Sequence, residues 1–320
     1  MKHKSVWMTL LALVSSLAWG QENPQQKIRD AFQLDKQGQF AQVIKQLKPL
    51  TTVASMTTPE LGQTWILLGI AYHQEGRYQE AETAYERSLN VLRKHPEYSD
   101  QYATALSAYS TLYRDKENME AAWKMRMKAL HMYEEINDQA GIADACASLA
   151  ELAITQKHAS KAREYLSCAI EASKVARGLT EDFFAALSST QGWLNVADYN
   201  YAAAESEYRD ALMLWKHQHG EQHILVGWGY VLLGKANAGA GDMTDAVDNM
   251  REGLGILENT AGPANVKYLL AELAYSEVLE ASGSHTAARE LKTKTERALQ
   301  NFYRGQCVQC RISAAALSLQ

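Results

Sequence analysis

Apolar residues recur along most of the chain at the spacing of one face of an α-helix, in segments separated by short polar turns. The clearest example is residues 64–89, TWILLGIAYHQEGRYQEAETAYERSL. Trp65 and Leu68 fall on one face of a first helix, and Tyr78 and Tyr85 fall on one face of a second. Helices this short are unstable alone, so the pattern predicts a helical hairpin that buries its apolar face against neighbouring hairpins.

This hairpin pattern repeats every 40 to 42 residues. Alanine marks the same place in six second helices, at Ala81, Ala122, Ala162, Ala204, Ala246 and Ala288. A small residue stands twelve positions before each alanine, at Gly69, Ser110, Ala150, Gly192, Gly234 and Ser276. Another stands seven positions after it, at Ser88, Ala129, Ala169, Ala211, Gly253 and Thr295. These three small-residue columns predict closely packed helices in a solenoid.

With this period and the stretch LGIAYHQEGRYQEAETAYERSL, the sequence resembles tetratricopeptide repeat proteins over residues 24–300. The long repeat is similar to the kinesin-light-chain-like branch of that family. The resemblance implies an all-α fold, a right-handed superhelical solenoid of antiparallel helix hairpins. It also implies a concave groove, lined by the first helix of each hairpin, that binds extended peptides or short helices of partner proteins.

The repeat domain is predicted to span residues 21–303 and to contain about seven hairpins. Their approximate bounds are 24–57, 62–95, 103–136, 143–176, 185–218, 227–260 and 269–302. Residues 304–320 follow as a C-terminal tail with a CxxC sequence.

The first twenty residues have the pattern of a secretory signal peptide. Lys2 and Lys4 precede an apolar run, which ends in the sequence Ala18-Trp19-Gly20. The apolar run is shorter than the roughly 20 residues of a membrane-spanning helix. We therefore predict that residues 1–20 are removed and that the mature protein is soluble and exported, to the periplasm or the extracellular space. A retained membrane anchor is the alternative.

The charge balance disfavours nucleic acid as a partner. The chain has 32 basic and 37 acidic residues, and removal of the two lysines of the predicted signal leaves 30 against 37. The mature net charge is then −7, and the sequence contains no basic block. A nucleic-acid-binding protein is expected to carry a clustered positive surface.

Residues 215–223, WKHQHGEQH, contain three histidines and a glutamate, which are possible metal ligands. In the repeat alignment, Gly220 and His223 match the glycine and the polar residue of two other connections, 178–181 and 262–265. Glycine is expected just past a helix end, and a polar side chain can cap the helix that follows.

A zinc site here would need His219 and His223 to meet across the glycine turn, together with a third ligand. His217 and His219 lie in the last turn of a helix, where positive charge suits the helix dipole, and their spacing points them to different sides. We therefore predict a structural role for this stretch and no metal site.

Other chemical motifs are weak. Residues 229–236, GYVLLGKA, differ from a phosphate-binding P-loop at Ala236, where Ser or Thr is required. A P-loop follows a strand, whereas Gly234 belongs to a small-residue column in the middle of a predicted helix. The sequence has no GxSxG, HExxH or glycine-rich dinucleotide motif. We therefore predict no enzyme activity and no cofactor.

The four cysteines form two pairs. For Cys307 and Cys310, beyond the last repeat, a short-loop disulfide is the first interpretation, and metal binding or redox chemistry is the alternative. Cys146 and Cys168 lie on the two helices of one hairpin. Cys146 occupies a core position and is predicted to be a small buried side chain. A bridge to Cys168 is possible, although a helical hairpin need not bring the two Cβ atoms together.

Projection from the small-residue columns places ten side chains on the groove, namely Ile66, Ile70, His73, Arg114, Glu151, Trp193, Trp228, Val231, Lys235 and Glu277. Trp193 and Trp228 are the predicted anchors, because exposed aromatic side chains are typical binding anchors. Packing against the next hairpin is the alternative for both. Because the groove contains both signs of charge, we expect it to be mixed in character.

The predicted function is a non-catalytic protein–protein interaction or assembly scaffold, which binds a partner peptide or helix in the concave groove. The alternative is a thiol-redox or metal-handling envelope protein that acts through Cys307 and Cys310. Self-association of the helical array is a further possibility.

Overall fold

The computed structural model describes residues 23–306, with side chains as far as residue 302. The predicted signal segment, residues 1–20, and the pair Cys307 and Cys310 therefore lie outside the described residues. Between residues 23 and 306, every regular element is a helix. None of these helices is both long enough and apolar enough to cross a membrane.

The chain divides into two compact units, residues 1–101 and 102–320. The described part of unit 1 contains two hairpins. Their helices are α1 (Pro24–Lys36), α2 (Phe40–Leu47), α3 (Thr58–Gln74) and α4 (Tyr78–Leu92), with short 3₁₀ helices at Lys48–Thr52 and Pro96–Tyr98. Thr57 and Glu60 form a capping box at the start of α3, in which the backbone N–H of Thr57 donates to the Glu60 carboxylate over 2.9 Å.

The described part of unit 2 contains five hairpins, and the first helix of the first hairpin begins at the unit boundary. The helices are α5 (Ser99–Asp115), α6 (Met119–Glu135), α7 (Gln139–Thr155), α8 (Ala159–Val175), α9 (Glu181–Ala197), α10 (Tyr201–His219), α11 (Ile224–Ala240), α12 (Met243–Ala261), α13 (Val266–Ala281) and α14 (His285–Gln306). Within each unit, successive hairpins pack against each other. The prediction of an all-α solenoid of helical hairpins is confirmed.

The small-residue columns lie at the crossings of paired helices. Each of the six column alanines is at most 3% exposed. A Cβ atom added to Gly69 would lie 2.5 Å from the ring of Tyr85, and one added to Gly192 would lie 2.6 Å from the ring of Tyr208. Both tyrosines follow a column alanine by four residues. A glycine on one helix therefore accommodates a tyrosine on the other, and this arrangement recurs in both units.

Serine residues in these columns also form hydrogen bonds between the two helices of a hairpin. Ser110 Oγ donates to the carbonyl of Ala122 over 2.7 Å, from α5 to α6. Ser88 Oγ donates to the carbonyl of Gly62 over 3.0 Å, from α4 to α3. Both hydroxyls are buried, so these bonds satisfy polar groups that would otherwise destabilise the core.

Two connections between hairpins have the capping geometry that the sequence predicts. Gly220 ends α10 with a φ angle of 79°, in the left-handed region that glycine adopts without strain. Three residues later, Nδ1 of His223 accepts the backbone N–H of Leu225 over 3.3 Å. At the matching position, Asn265 accepts the backbone N–H of Lys267 over 2.8 Å. The structural role predicted for His223 is therefore confirmed as an N-cap.

The third connection differs from the alignment by one residue. After Gly178, the cap of α9 is Thr180, whose Oγ1 accepts the backbone N–H of Phe183 over 3.4 Å. Glu181, which the sequence alignment placed at the cap, is the first residue of the helix. Its carboxylate accepts instead from Nδ1 of His217 over 2.7 Å. The short side chain of Thr180 holds its hydroxyl close to the free backbone N–H groups of the first turn of α9. Glu has a longer side chain and is a less common N-cap residue.

A disulfide joins the two helices of the α7–α8 hairpin. Cys146 and Cys168 have their Cα atoms 5.9 Å apart and are bonded through sulfur. Cys146 is fully buried, as predicted. A helical hairpin need not bring two such cysteines within bonding range, but here the close approach of α7 and α8 places them opposite each other.

Two glycines of α12 provide a test of the packing columns. A Cβ atom on Gly253 would lie 2.6 Å from the carbonyl oxygen of Gly227, whereas one on Gly255 would meet nothing within 4 Å. We expect Gly255→Ala to stabilise the protein by up to about 1 kcal/mol, because alanine favours helix. We expect Gly253→Ala to destabilise it by about 1 to 3 kcal/mol, because the backbones must separate. Urea unfolding followed by circular dichroism measures both, and equal stability of the two variants would contradict the packing.

The disulfide closes a loop with a sequence separation of 22 residues. Loop-closure entropy then predicts that Cys146→Ala with Cys168→Ala lowers the free energy of unfolding by about 3 kcal/mol. Thermal unfolding under non-reducing conditions measures the effect. The matched control is Cys307→Ser with Cys310→Ser. Under the same non-reducing conditions, this variant should unfold at the same temperature as the parent. Failure to recover a Cys146–Cys168 cross-linked peptide by mass spectrometry of the oxidised parent would refute the bridge.

Candidate functional site

Polar side chains join the first helices of successive hairpins in unit 2. Arg114 Nη1, near the end of α5, donates to Glu151 Oε2 in α7 over 2.8 Å. Thr190 Oγ1 in α9 lies 3.3 Å from the other carboxylate oxygen of Glu151. Arg114 Nε also donates to Asp115 over 3.1 Å. These four residues form the inner network, and their contacts show that α5, α7 and α9 contribute to one surface.

Lys267, in the first turn of α13, belongs to the same region. Burial lowers the pKa of Lys267, while the charge of Asp115 acts in the opposite direction. Conversely, the pKa of Arg114 is raised, first by Asp115 and then by Glu151. The Lys267 ammonium also lies 5.9 Å from the centre of the Trp228 ring. The surface therefore places a cation beside an aromatic ring, with a carboxylate-bearing network close by.

A second pair of opposite charges lies on α11 and α13. Burial raises the pKa of Glu277, and the charge of Lys235 opposes that rise. Burial likewise lowers the pKa of Lys235, and Glu277 opposes it. Four predicted groove residues thus form two interacting pairs, Arg114 with Glu151 and Lys235 with Glu277. Because the charges within each pair largely compensate each other, a charged partner would meet a nearly neutral surface.

The two predicted anchors differ in their surroundings. Trp193, on α9, is 37% exposed. Trp228, on α11, is half-buried and packs against a core cluster that includes Val231, Met250 and Leu257. Trp228 is therefore partly covered by neighbouring helices, as the alternative interpretation expects. Trp193 instead presents a large apolar area to solvent. A residue of this size left exposed favours a role in contacting a partner.

Three predicted groove residues are corrected to core positions. Val231 is fully buried in the cluster just described, and Ile66 is 5% exposed. His73 is 8% exposed, and its ring packs edge-on against Tyr78 at 5.6 Å. A first helix in a solenoid packs against its own hairpin and also against the next one, so its buried face is wider than the sequence projection assumed. Ile70, like Ile66 and His73, belongs to unit 1 and is half-buried.

The sequence projection missed Asp115, Thr190 and Lys267. A signal for Lys267 was present in the repeat alignment, because Leu225, Phe183 and Gly141 stand at its position in the three preceding repeats. A lysine where the three preceding repeats carry uncharged residues indicates a local requirement that packing does not explain. Asp115 and Thr190 carry no comparable signal.

The histidine stretch forms a compact junction between three helices. His219, at the end of α10, lies with Nε2 2.6 Å from the carboxylate of Asp182 in the first turn of α9. Its ring stacks on that of His223 with centroids 4.0 Å apart and an angle of 11° between the planes. His217, which is largely exposed, bonds Glu181 in the same turn of α9. Both histidines of α10 therefore reach α9, although the His217 side chain is 75% exposed and that of His219 is 17% exposed.

The two stacked rings do meet across the glycine turn, as a zinc site would require. Their planes are nearly parallel, however, so the nitrogen lone pairs of His219 and His223 lie in separate planes and do not converge on one point. Among the described residues, no group of three or more His, Cys, Asp or Glu side chains is arranged to hold a metal ion.

The sequence that resembles a P-loop lies inside a continuous helix. Residues 229–236 are all part of α11 (Ile224–Ala240). Gly234 is buried, and a Cβ atom there would lie 3.0 Å from the carbonyl oxygen of Ala246. This glycine therefore serves helix packing, and its amide is not part of a phosphate-binding loop.

Comparison with known proteins identifies the repeats. A family profile described as tetratricopeptide repeat matches residues 60–135, which span α3 to α6. The chain contains tetratricopeptide repeats. A second profile, described as a KR domain, matches residues 115–232. Every regular element in that range is a helix, whereas dinucleotide-binding reductase folds are built on a parallel sheet, so the structure gives this second match no support.

Several solved structures share this tetratricopeptide repeat fold. A Rap protein in complex with competence and sporulation factor matches with a TM-score of 0.65 at 12% identity, over 88% of this chain and 78% of that one. The apo form of RapI matches with a TM-score of 0.65 at 13% identity, over 87% and 99%. A tetratricopeptide repeat protein from Parabacteroides merdae matches with a TM-score of 0.52 at 13% identity, over 92% and 99%. No curated protein sequence matches the chain.

Lys267 provides a test of the inner surface. Because burial lowers its pKa from 10.5, the charged side chain destabilises the folded protein at neutral pH, and this cost falls as pH rises towards 10.5. We expect Lys267→Met to be at least as stable as the parent at pH 7, with an advantage that shrinks at higher pH. Urea unfolding at pH 7 and pH 9.5 measures it.

The matched control for Lys267→Met is Lys124→Met, on the exposed face of α6. This substitution should leave stability unchanged at both pH values, because lysine and methionine have similar helix propensities. A stability loss at pH 7 that is specific to Lys267→Met would show that the ammonium is well paired, against the prediction.

Proposed function

We propose that this tetratricopeptide repeat protein is a non-catalytic interaction scaffold, which captures a peptide or helix of a partner protein on the surface of the first helices in unit 2. The exposed Trp193 side chain is the observation that carries the proposal. A tryptophan exposed to this extent in a folded protein gains free energy when a partner covers it. Trp228, with the Lys267 ammonium beside its ring, extends the contact area to α11.

The distribution of charge supports recognition by shape and apolar contact more than by net charge. Arg114 is already bonded to Glu151 and Asp115, and Lys235 interacts with Glu277. A partner that offered only charge would have to compete with these pairs. A segment with an aromatic or aliphatic side chain would instead cover Trp193 without breaking any of them.

The non-catalytic part of the proposal rests on the absence of a reactive arrangement among the described residues. The perturbed groups on the inner surface are explained by ion pairing and burial. The one hydroxyl–carboxylate contact described above joins Thr190 to Glu151 over 3.3 Å. The same hydroxyl lies closer to the Ala186 carbonyl, at 2.9 Å, and the carboxylate already accepts a hydrogen bond from Arg114, so this pair is not arranged as a nucleophile with its base.

Export is also part of the proposal. The Cys146–Cys168 disulfide supports it, because stable structural disulfides form in oxidising compartments and are rare in the reducing cytosol. The pattern of residues 1–20 is the independent sequence argument for the same location.

The test of the proposal uses Trp193→Ala combined with Trp228→Ala, in the mature protein. Envelope extract from the host is passed over the parent and the variant, captured proteins are identified, and the contacting segment is located by cross-linking. The affinity of that purified segment is then measured by calorimetry. We expect the double variant to lose at least about tenfold in affinity, as for aromatic hot spots in other interfaces.

The matched control replaces two large side chains on α10 and its preceding turn, Met213→Ala with Tyr199→Ala. Met213 is 62% exposed and Tyr199 is 80% exposed, so their removal takes away apolar area elsewhere on the surface. This control should bind like the parent. Equal affinity of the parent and the tryptophan variant, with unchanged circular dichroism, would refute binding at this surface.

A further inference from the structure

The junction of α9, α10 and α11 is held together by contacts of three histidine side chains. His223 caps α11 only as an acceptor, because its Nδ1 receives the backbone N–H of Leu225. The proton of the neutral ring must therefore be on Nε2. When a second proton binds, Nδ1 becomes a donor, and it can no longer receive the Leu225 amide.

The charges that face His223 come from three neighbouring helices. His219 of α10 stacks directly on its ring, and the carboxylate of Asp182 of α9 contacts Nε2 of His219. Lys267 of α13 adds a further positive charge. In the connecting turn, Glu221 is occupied by an ion pair with Lys216 over 2.8 Å. Of these groups, only Asp182 favours a positive charge on His223.

We infer that the stacked pair His219–His223 is a pH-sensitive latch, which holds the start of α11 in place at neutral pH and releases it in mild acid. Its effect on partner binding rests on the function proposed above. Trp228 lies in the second turn of α11, five residues after His223, so fraying of this helix end displaces one of the two proposed anchors. Lys267, which lies beside the Trp228 ring, also contributes to the repulsion that a protonated His223 would meet.

The direction of the pH response follows from the direction in which the pKa of His223 is shifted. Burial, then the neighbouring His219, lower the pKa of His223 below its ordinary 6.5. The unfolded or frayed state therefore binds the proton more tightly, and the stability that His223 provides is complete above pH 6.5 and is lost as pH falls through the lowered folded-state pKa.

His217 responds in the opposite sense. Its hydrogen bond to Glu181 raises the pKa of His217 above 6.5, so the contact between α10 and α9 is present below pH 6.5 and weakens only as pH rises through the raised value. Mild acid therefore preserves the attachment of α10 to α9 while it removes the cap of α11. The opening is confined to the α11 side of the junction.

Hydrogen exchange tests the latch without any partner. The full mature protein is labelled at pH 7.5 and pH 5.5, exchange is corrected for the intrinsic pH dependence of amides, and peptides that cover residues 223–230 are compared. We expect the opening equilibrium of the first turn of α11 to rise by roughly 2- to 10-fold at pH 5.5. The lower figure is that for loss of a weak N-cap, and the upper one is the most that a single proton with an unfolded-state pKa of 6.5 provides over this pH step. Peptides from the end of α10 should be at least as protected at pH 5.5 as at pH 7.5, because the contact of His217 with Glu181 is stronger in acid.

The decisive variant is His223→Asn, because asparagine caps a helix as well as histidine does and does not titrate. This variant should keep the first turn of α11 closed at both pH values. The matched control is His158→Asn. His158 is also an N-cap residue, at the start of α8, but its side chain makes no capping hydrogen bond and is exposed. In acid, the first turn of α11 should open to the same extent in this control as in the parent.

The outcomes separate the latch from the function on which its effect rests. An unchanged α11 in the parent at pH 5.5, or equal acid opening in the parent and in His223→Asn, would overturn the latch whatever the protein binds. If the latch responds as expected, partner affinity measured at the two pH values then tests the link to binding. Loss of affinity at pH 5.5 that His223→Asn restores would support that link. Affinity lost equally in both proteins would refute it.

Discussion

The close approach of paired helices at the small-residue columns determines most of this structure. At Gly253 the neighbouring helix comes so near that a single methyl group would lie 2.6 Å from a backbone carbonyl. Because the crossing point recurs every 40 to 42 residues, the hairpins of unit 2 present their first helices in the same way. The contacts of Glu151 with Arg114 on one side and Thr190 on the other depend on this regularity, since the three residues come from three successive hairpins.

The surface formed by these first helices contains groups that do not favour folding. These groups are a half-buried lysine at the start of α13, an arginine shared between two carboxylates, and a tryptophan that is 37% exposed. Apolar residues in place of the charges, and a smaller residue in place of the tryptophan, would avoid the cost of burying charge and of exposing apolar area. Natural proteins keep such groups mainly where function requires them. The helix pairs behind this surface, by contrast, are packed with alanine, glycine and leucine, and they supply the stability that the surface lacks.

The sequence was sufficient for the fold because the repeat is a local property. Alanine, glycine and serine at fixed intervals determine how a helix meets its neighbour, and the alanine positions are buried as the spacing predicts. The site depends on a different kind of information. Lys267 meets the charges of Asp115 and Glu151 only because several hairpins turn through a particular angle, and no short stretch of sequence encodes that angle. Val231 was predicted to face the groove but is fully buried. A helical projection shows which residues share a face, but it does not show which face a neighbouring helix covers.

The Cys146–Cys168 bridge has a consequence for how the chain comes apart. In a solenoid, each hairpin depends on its immediate neighbours, so unfolding can begin at an end and pass along the chain one hairpin at a time. A covalent link between α7 and α8 makes one interior hairpin costlier to open than the others. Unravelling that starts from either end should therefore pause at residues 139–175. A protease would trim the protein to a resistant fragment centred on that hairpin, and reduction would remove the barrier.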